Sequence, residues 1–447
     1  TANPITVDVD PVLTASLAPD ATKQIHVRGP LVSVSTADSN YVIGVRPFLD
    51  ASNTTGQLTV ATTSSTTYLI NGQSYTGSAG LTQLATLSAA TLTSSYGTWD
   101  RTAGKFTATQ VLVGPQAQGT ATNGAQGTVL ARSGNTFTLG NGFVFRPLSQ
   151  QAMGSQQSMG ATLGFQRQVT VTVGSGTSVA EEGQAGSFTA SDISVGLKLW
   201  VSGTPGTDSS GNPTLDATAG TALLMPTSGV GLLTATATGS ATVTLQQLGN
   251  VAASTLNFAG TGATSQQDAS AASYVVSLPS SISTSSTATG AVVGFTGFVT
   301  PFGSAPPDFA ASTWLNYSQT YALFDAWWAP GITAPFATQT SSELLLSAAT
   351  LQGSAWDTIR IGQVTVNPST LTAGLELLPD TSESAQQWFA IAHVKSHMID
   401  NFSTFNDLAT ALATDLNGTT AVLQVMAEGS YTTGALTADH VIGGRTH

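Results

Sequence analysis

The sequence contains no cysteine. Disulfide staples, thiolate nucleophiles and thiolate metal sites are therefore all excluded. Charge is scarce as well: 8% of residues are Asp, Glu, Lys or Arg, against roughly 25% in ordinary soluble domains. The 12 Lys and Arg are scattered singly among 24 Asp and Glu, and the formal net charge is −12. With no basic stripe to neutralise phosphates, nucleic acid is not an expected partner. No apolar run reaches the ~18 residues that a membrane-spanning helix needs. The G-x-S-x-G elbow, the P-loop and the dinucleotide fingerprint are missing too, so neither a cofactor nor an enzymatic activity is expected, a hydrolase being the weakest alternative.

Apolar material is plentiful. Hydrophobic residues make up 41% of 447 positions, enough for several domains, each with its own core. This is unlike disorder, which combines low hydrophobicity with high charge. Thr, Ser, Ala and Gly fill the remainder, as expected of an exported β protein whose surface carries hydroxyls rather than lysines. The first residue is Thr1 rather than methionine, which leads to the expectation that a signal peptide has been removed. The expected location is extracellular or on the outer surface of a bacterium, in preference to the periplasm.

One short phrase recurs. Residues 104–112 read GKFTATQVL, 307–315 read PDFAASTWL and 434–442 read GALTADHVI. Each follows a strand-like run with a glycine near its end: Gly97 before Phe106 and Ala108, Gly297 before Phe309 and Ala311, Gly429 before Leu436 and Ala438. A weaker copy has Gly203, Leu215 and Ala217. The intervening TWDRTA and TPGTDSSGN are turn chemistry, so each reads as a β-hairpin. Upstream, GPLVSVSTADSNYVIGV (29–45), GTVLARSGNTFTLGNG (127–142) and GLLTATATGSATVTLQQ (231–247) share a glycine and two alternating runs around a polar turn. That period predicts strands with one buried face. LLLSAATL and TIRIGQVTV form a comparable pair in the fourth unit. Short helical turns are predicted around LTQL (81–84) and FNDL (405–408).

The chain therefore reads as all-β: four tandem small barrels of five to six strands. The expected units are an extended arm at 1–22, barrels at 23–115, 116–226 and 227–315, an aromatic-rich connector at 316–340, and a fourth barrel at 341–447. Gly/Ser/Gln-rich insertions at 149–160 and 260–272 are expected to pack loosely. Residues 104–113, 127–139 and 190–203 (ASDISVGLKLWVSG) resemble domain-of-unknown-function family 5666. Its members are small OB-like barrels, often in tandem, in exported proteobacterial proteins and lipoproteins. The resemblance implies architecture and location; the family has no established reaction.

Candidate sites are few. His393 and His397 in HVKSH have a spacing that suits a metal on a helix. On a strand the rings would stand ~13 Å apart at ~3.3 Å per residue, so a solvated strand is the favoured reading and no metal site is expected. The run WLNYSQTYALFDAWWAPG carries Trp314, Tyr321, Trp327 and Trp328. It reads either as packing at a junction or as a platform for a carbohydrate ligand, and side chains of this size more often pack. Glu181 and Glu182 are adjacent, point to opposite faces if on a strand, and read as surface loop. Asp8 and Asp10 lack the spacing of a calcium loop.

In the arm, Ile5, Val7 and Val9 alternate with polar residues between Pro4 and Pro11. Two readings stand: an extra strand on the chain's own first barrel, or a strand added to a neighbouring subunit. In the second, contact through Ile5, Val7 and Val9 gives a homo-oligomer or polymer. The expected function is a non-enzymatic structural protein that self-assembles, as a fibre subunit, with a carbohydrate-binding surface module as the alternative.

Overall fold

A computed structural model describes residues 16–18, 24–45, 56–100, 102–117, 123–147, 161–317, 320–328, 336–347, 358–361, 364–366, 371, 374–381, 387–393, 396–415, 422–432 and 434–445. The chain is all-β and built from small barrels. After a short β1 (Ser16–Ala18), the first barrel comprises β2 (Ile25–Ser35), β3 (Asn40–Gly44), β4 (Gln57–Ala61), β5 (Thr67–Ile70), β6 (Gln73–Thr76), α1 (Gly77–Ala85), β7 (Leu92–Asp100) and β8 (Lys105–Val113). Strands β2, β3, β4, β8 and β7 close into a ring, with β4 parallel to β8 and every other pair antiparallel. First strand beside second and fourth, third parallel to fifth: this is the order of an OB barrel. Helix α1 contains the LTQL turn. It buries Gly77, Gly80, Leu81 and Leu84, one stripe of a 3.6-residue period, in one core with Tyr68 of β5 and Phe106 of the ring.

The order repeats twice. The second barrel is β9 (Gly124–Ser133), β10 (Thr136–Pro147), β11 (Ala161–Thr172), β12 (Ser178–Glu181), β13 (Lys198–Thr207) and β14 (Pro213–Met225), with β11 parallel to β14. The third is β15 (Thr227–Ala237), β16 (Ser240–Leu248), the two-residue β17 (Val251–Ala252), β18 (Tyr274–Ser277), β19 (Val292–Val299) and β20 (Phe309–Asn316), with β18 parallel to β20.

The recurring phrase has a physical cause. Pairing between the fourth and fifth strands of each unit shifts register at its glycine, between Tyr96 and Gly97, around Gly203, between Thr296 and Gly297, and between Glu428 and Gly429. These are β-bulges, which bend the strand so that the sheet can curl. At the bend the opposite backbone comes so close that a Cβ would lie 2.0–2.3 Å from a carbonyl oxygen: Thr107, Asp216, Ala310 or Thr437. Only glycine fits there. The facing Ala108, Ala217, Ala311 and Ala438 are buried, as are Phe106, Leu215, Phe309 and Leu436 two residues earlier, because alternate residues share the inner face. In barrels one and two the alanine carbonyl also accepts a buried threonine hydroxyl, Thr66 at 2.8 Å and Thr177 at 2.7 Å.

The fourth sheet departs from the pattern. It contains β21 (Thr320–Trp327), β22 (Phe336–Gln339), β23 (Leu344–Leu346), β24 (Thr358–Ile361), β25 (Val364–Val366), β26 (Leu375–Pro379), β27 (Trp388–His393), β28 (Met398–Phe402), α2 (Phe405–Asp415), β29 (Val422–Thr432) and β30 (Ala435–Arg445). The path β26–β30–β29–β21 repeats the third–fifth–fourth–first order. Two hairpins, β22–β23 and β24–β25, stand where other units have one second strand, and among the described residues the ring does not close. LLL and TIRI thus lie in separate hairpins rather than pairing with one another. Residues 320–327, expected in a connector, are the first strand of this sheet and pair along their length with β29. The FNDL turn opens α2.

The units pack on one another. Barrels two and three share one apolar core that includes Val195, Leu197, Leu248 and Val299. Leu232 and Val292 of barrel three belong to the core of the fourth sheet. Between barrels one and two, Trp200 packs with Leu69, Tyr96 and Leu112, and its indole N–H donates to the Pro115 carbonyl at 2.9 Å. The insertion at 260–272, expected to pack loosely, is a hydrogen-bonded loop. Gly262 N–H donates to Asp268 at 2.9 Å, Ala269 N–H to Thr261 at 2.8 Å, and Ala269 and Ala271 touch the shared core.

Candidate functional site: a strand seat on barrel three and the cleft beside it

In every unit the outer edge of the fifth strand carries two partners. The third strand pairs with its beginning and a short sixth strand with its end. In barrel one the sixth strand is β5, parallel to Gln110–Val113 of β8. In barrel two it is β12, parallel to Thr221–Leu224 of β14. In the fourth sheet it is β27, parallel to His440–Arg445 of β30. All three come from the segment between the unit's own third and fourth strands.

Barrel three is the exception. Residues 278–291, between β18 and β19, contain Pro279 and a Ser/Thr run and form no strand. The seat at Trp314–Asn316 of β20 is filled instead by β1, antiparallel, with Ser16 opposite Asn316, Leu17 opposite Leu315 and Ala18 opposite Trp314. A segment from the far end of the chain completes this barrel. The arm was expected on barrel one or on a neighbour; its described part lies on barrel three of the same chain. Ile5, Val7 and Val9, with Asp8 and Asp10, lie outside the described residues.

Immediately before the seat, Ala310–Thr313 of β20 form one wall of a cleft of about 810 Å³ where barrels one, two and three meet. The opposite wall carries His26, Tyr96, Glu181 and Glu182. The buried Gln110 of barrel one fixes the loop 181–184: its amide N–H groups donate to the carbonyls of Glu181 (2.9 Å) and Gln184 (2.8 Å), and its oxygen accepts from Gly183 N–H (2.9 Å). The loop can turn there because Gly183 adopts φ +76°. Glu181 and Glu182, expected on a surface loop, therefore border the same cavity.

Burial dominates the electrostatics. It pushes the Glu181 carboxyl up to about 7, with Asp192 adding to the effect. Glu182 is raised by burial too, against the pull of Tyr96 and Lys198. Burial, then Arg28, lowers His26 to about 4, so its ring is neutral where it stacks on Tyr96 (centroids 4.3 Å apart, 7° between planes). The Tyr96 phenol is raised by burial and then by the Glu182 charge. Tyr96 is 3% exposed. Its hydroxyl lies beside the Glu182 carboxyl, yet neither that hydroxyl nor Glu182 Oε2 completes a hydrogen bond of normal geometry.

The aromatic run splits between two interiors. Trp314 is buried in barrel three, stacked on Phe295 (6.3 Å, 18°). Trp328 is buried in the fourth core against Phe336 (6.0 Å, 62°). Tyr321 is half-buried and donates its hydroxyl to Glu428 at 3.1 Å. Trp327 ends β21. Neither Trp314 nor Trp328 presents a face to a sugar. HVKSH is not one strand: β27 ends at His393, β28 begins at Met398, and the hairpin between them places His397 at φ +55°. His393 Nε2 meets Asp400 at 2.7 Å. Among the described residues no group of three His, Asp or Glu could hold a metal ion, and no helix is long and apolar enough to cross a membrane.

Sequence reading missed Gln110, His26 and Tyr96 because they come from separate strands that only tertiary packing unites. The one local signal was Gln110, a large amide where the alternation begun by Phe106 and Ala108 calls for an apolar residue, in FTATQVLV. Comparison with protein-family models, curated proteins and solved structures returned no match.

Proposed function

We propose that this chain is a non-enzymatic structural protein, exported to the bacterial cell surface or extracellular matrix, whose copies join when the N-terminal arm of one completes barrel three of another. The observation carrying this reading is β1 on β20. Strand addition supplies main-chain hydrogen bonds without charged contacts, which suits a chain with 8% charged residues. A seat completed from a distant terminus can be completed equally by the same terminus of a second copy, which is the logic of domain swapping. The contact is heterologous, so copies add head to tail and form a filament unless the rotation closes a ring. The barrel-to-barrel packing supports this reading by giving the subunit fixed ends. The quoted resemblance to exported tandem barrels supports the location.

The test compares the full chain with a chain lacking residues 1–22, by light scattering and negative-stain microscopy over a concentration series. Filaments or rings from the full chain, absent after deletion and blocked by excess peptide 1–22, are the expected result. A full chain that stays monomeric throughout, or assembly that survives the deletion, overturns the proposal.

A further inference from the structure

We propose that the cleft between barrels one, two and three binds a small organic cation, an ammonium compound whose charged end meets Glu181 and Glu182 and whose body lies on Phe298 and Pro301. The site has the dimensions of a ligand pocket: about 810 Å³, within the ~300–1,000 Å³ typical of small-molecule sites. Barrel three contributes Phe298, Val299 and Pro301 together with Thr296, Thr300, Ser312 and Thr313, and barrels one and two contribute the two glutamates, Tyr96 and His26.

Two carboxyls belong to the same lining, and when ionised they only accept hydrogen bonds. The Tyr96 hydroxyl beside Glu182 favours its ionised form but brings no charge to balance it. The complement is a donor carrying positive charge. Charged neighbours leave room for one. Lys198 pulls on Glu182, Arg28 acts on His26 and Tyr96, and among the described residues the charged neighbour acting on Glu181 is Asp192, of like sign. His26, held neutral, does not compete. A bound ammonium group would favour the ionised carboxyls, so uptake near neutral pH releases protons. The grip of Gln110 on the backbone of residues 181–184 sets the loop that carries both glutamates beforehand, which limits the ordering cost of binding.

The test titrates the full chain by calorimetry with two matched pairs: 2-phenylethylamine against 2-phenylethanol, and glucosamine against glucose. At least one amine is expected to bind at least about tenfold more tightly than its neutral partner, with heats that depend on the buffer because protons leave. The Glu181→Gln/Glu182→Gln double variant should lose about tenfold or more of that affinity while melting no lower than the parent, because it removes buried carboxyls without changing shape. Should the double variant fail to fold, Glu181→Gln alone is held to the same expectation. The proposal is overturned if neither amine saturates by about 10 mM, a limit near −3 kcal/mol. Equal binding of amine and neutral partner, or unchanged binding by the folded glutamine variant, also overturns it.

Discussion

Barrels one and three share an order of strands, a bulge glycine and an inward alanine, yet they finish differently. Barrel one takes its sixth strand from its own middle segment, parallel and a few dozen residues from its partner. Barrel three takes β1 from the other end of the chain, antiparallel. The first arrangement is local and follows from the connection between third and fourth strands. The second depends on a segment that reaches barrel three from another part of the chain, which is what the proposed exchange between copies would use. The five-stranded ring is thus what barrels one, two and three have in common, and the sixth position is where barrel three diverges from the other units.

The largest effect should come from attacking what the barrels share. A side chain at Gly297 would place Cβ 2.0 Å from the Ala310 carbonyl oxygen. Gly297→Val should cost about 4 kcal/mol or more, since backbone must move at a strained position. Gly97→Val should be comparably severe, with Cβ 2.1 Å from Thr107 O. Thermal unfolding of both variants checks the equivalence; a mild effect in either would mean that its bulge is dispensable.

Removing what they do not share should be gentler. A chain lacking residues 1–22 loses the three residue pairs of β1, a loss of about 2 kcal/mol at roughly 1 kcal/mol per hydrogen bond. Hydrogen exchange should quicken at the amides of Trp314–Asn316 that face β1, while those of β8 opposite β5 stay protected. Uniform loss of protection across barrel three would show β1 to be integral to the ring rather than an addition to it.

The smallest expected effect distinguishes barrel three by charge. Asp308 stands just before Phe309, where barrel one has Lys105 before Phe106. It is 4% exposed and accepts Val275 N–H at 2.7 Å, tying β18 to β20. Burial pushes its carboxyl up to about 6, against the pull of that hydrogen bond. The folded state therefore binds more protons than the unfolded state between pH ~4 and ~6. This group's contribution is most favourable below that window and declines as pH rises through it. Asp308→Asn keeps an acceptor for Val275 and removes the buried charge, so it should stabilise the protein by about 1 kcal/mol at pH 7, and by nothing measurable at pH 4. The melting temperature of parent and variant across pH 4–8 checks the sign. The corresponding Lys105→Gln change in barrel one should shift neither end of the range.

Much of the fold was legible because its constraints are local. A bulge needs glycine, the curled corner needs a small inward residue, and pairing across the hairpin brings the two together whatever the length of the turn between them. Those needs wrote Gly97…Ala108 and its three counterparts into the sequence. The helical turns at 81–84 and 405–408 were legible for the same reason. Strand β21 was hidden because its buried residues include Thr320, Ala322, Phe324 and Ala326, of which Phe324 alone is large and apolar, while Tyr321 and Leu323 lie on the other face and obscure the alternation. The seat of β1 was not legible at all: SLA carries no pattern, and its partner lies three barrels downstream. The cleft was invisible for a related reason. Gln110, His26, Tyr96 and the two glutamates meet only because Trp200 and the loop at 181–184 lock two barrels together.

The distance between Ser16 and Asn316 also sets a timetable. A chain emerging from the ribosome or through a membrane shows its arm first, and β20 only after two whole barrels have had time to form. Pairings so far apart in sequence close late. Throughout that interval the seat does not yet exist, so under the proposed assembly crowding by sister chains, rather than sequence alone, would decide whether each arm returns home or is captured next door.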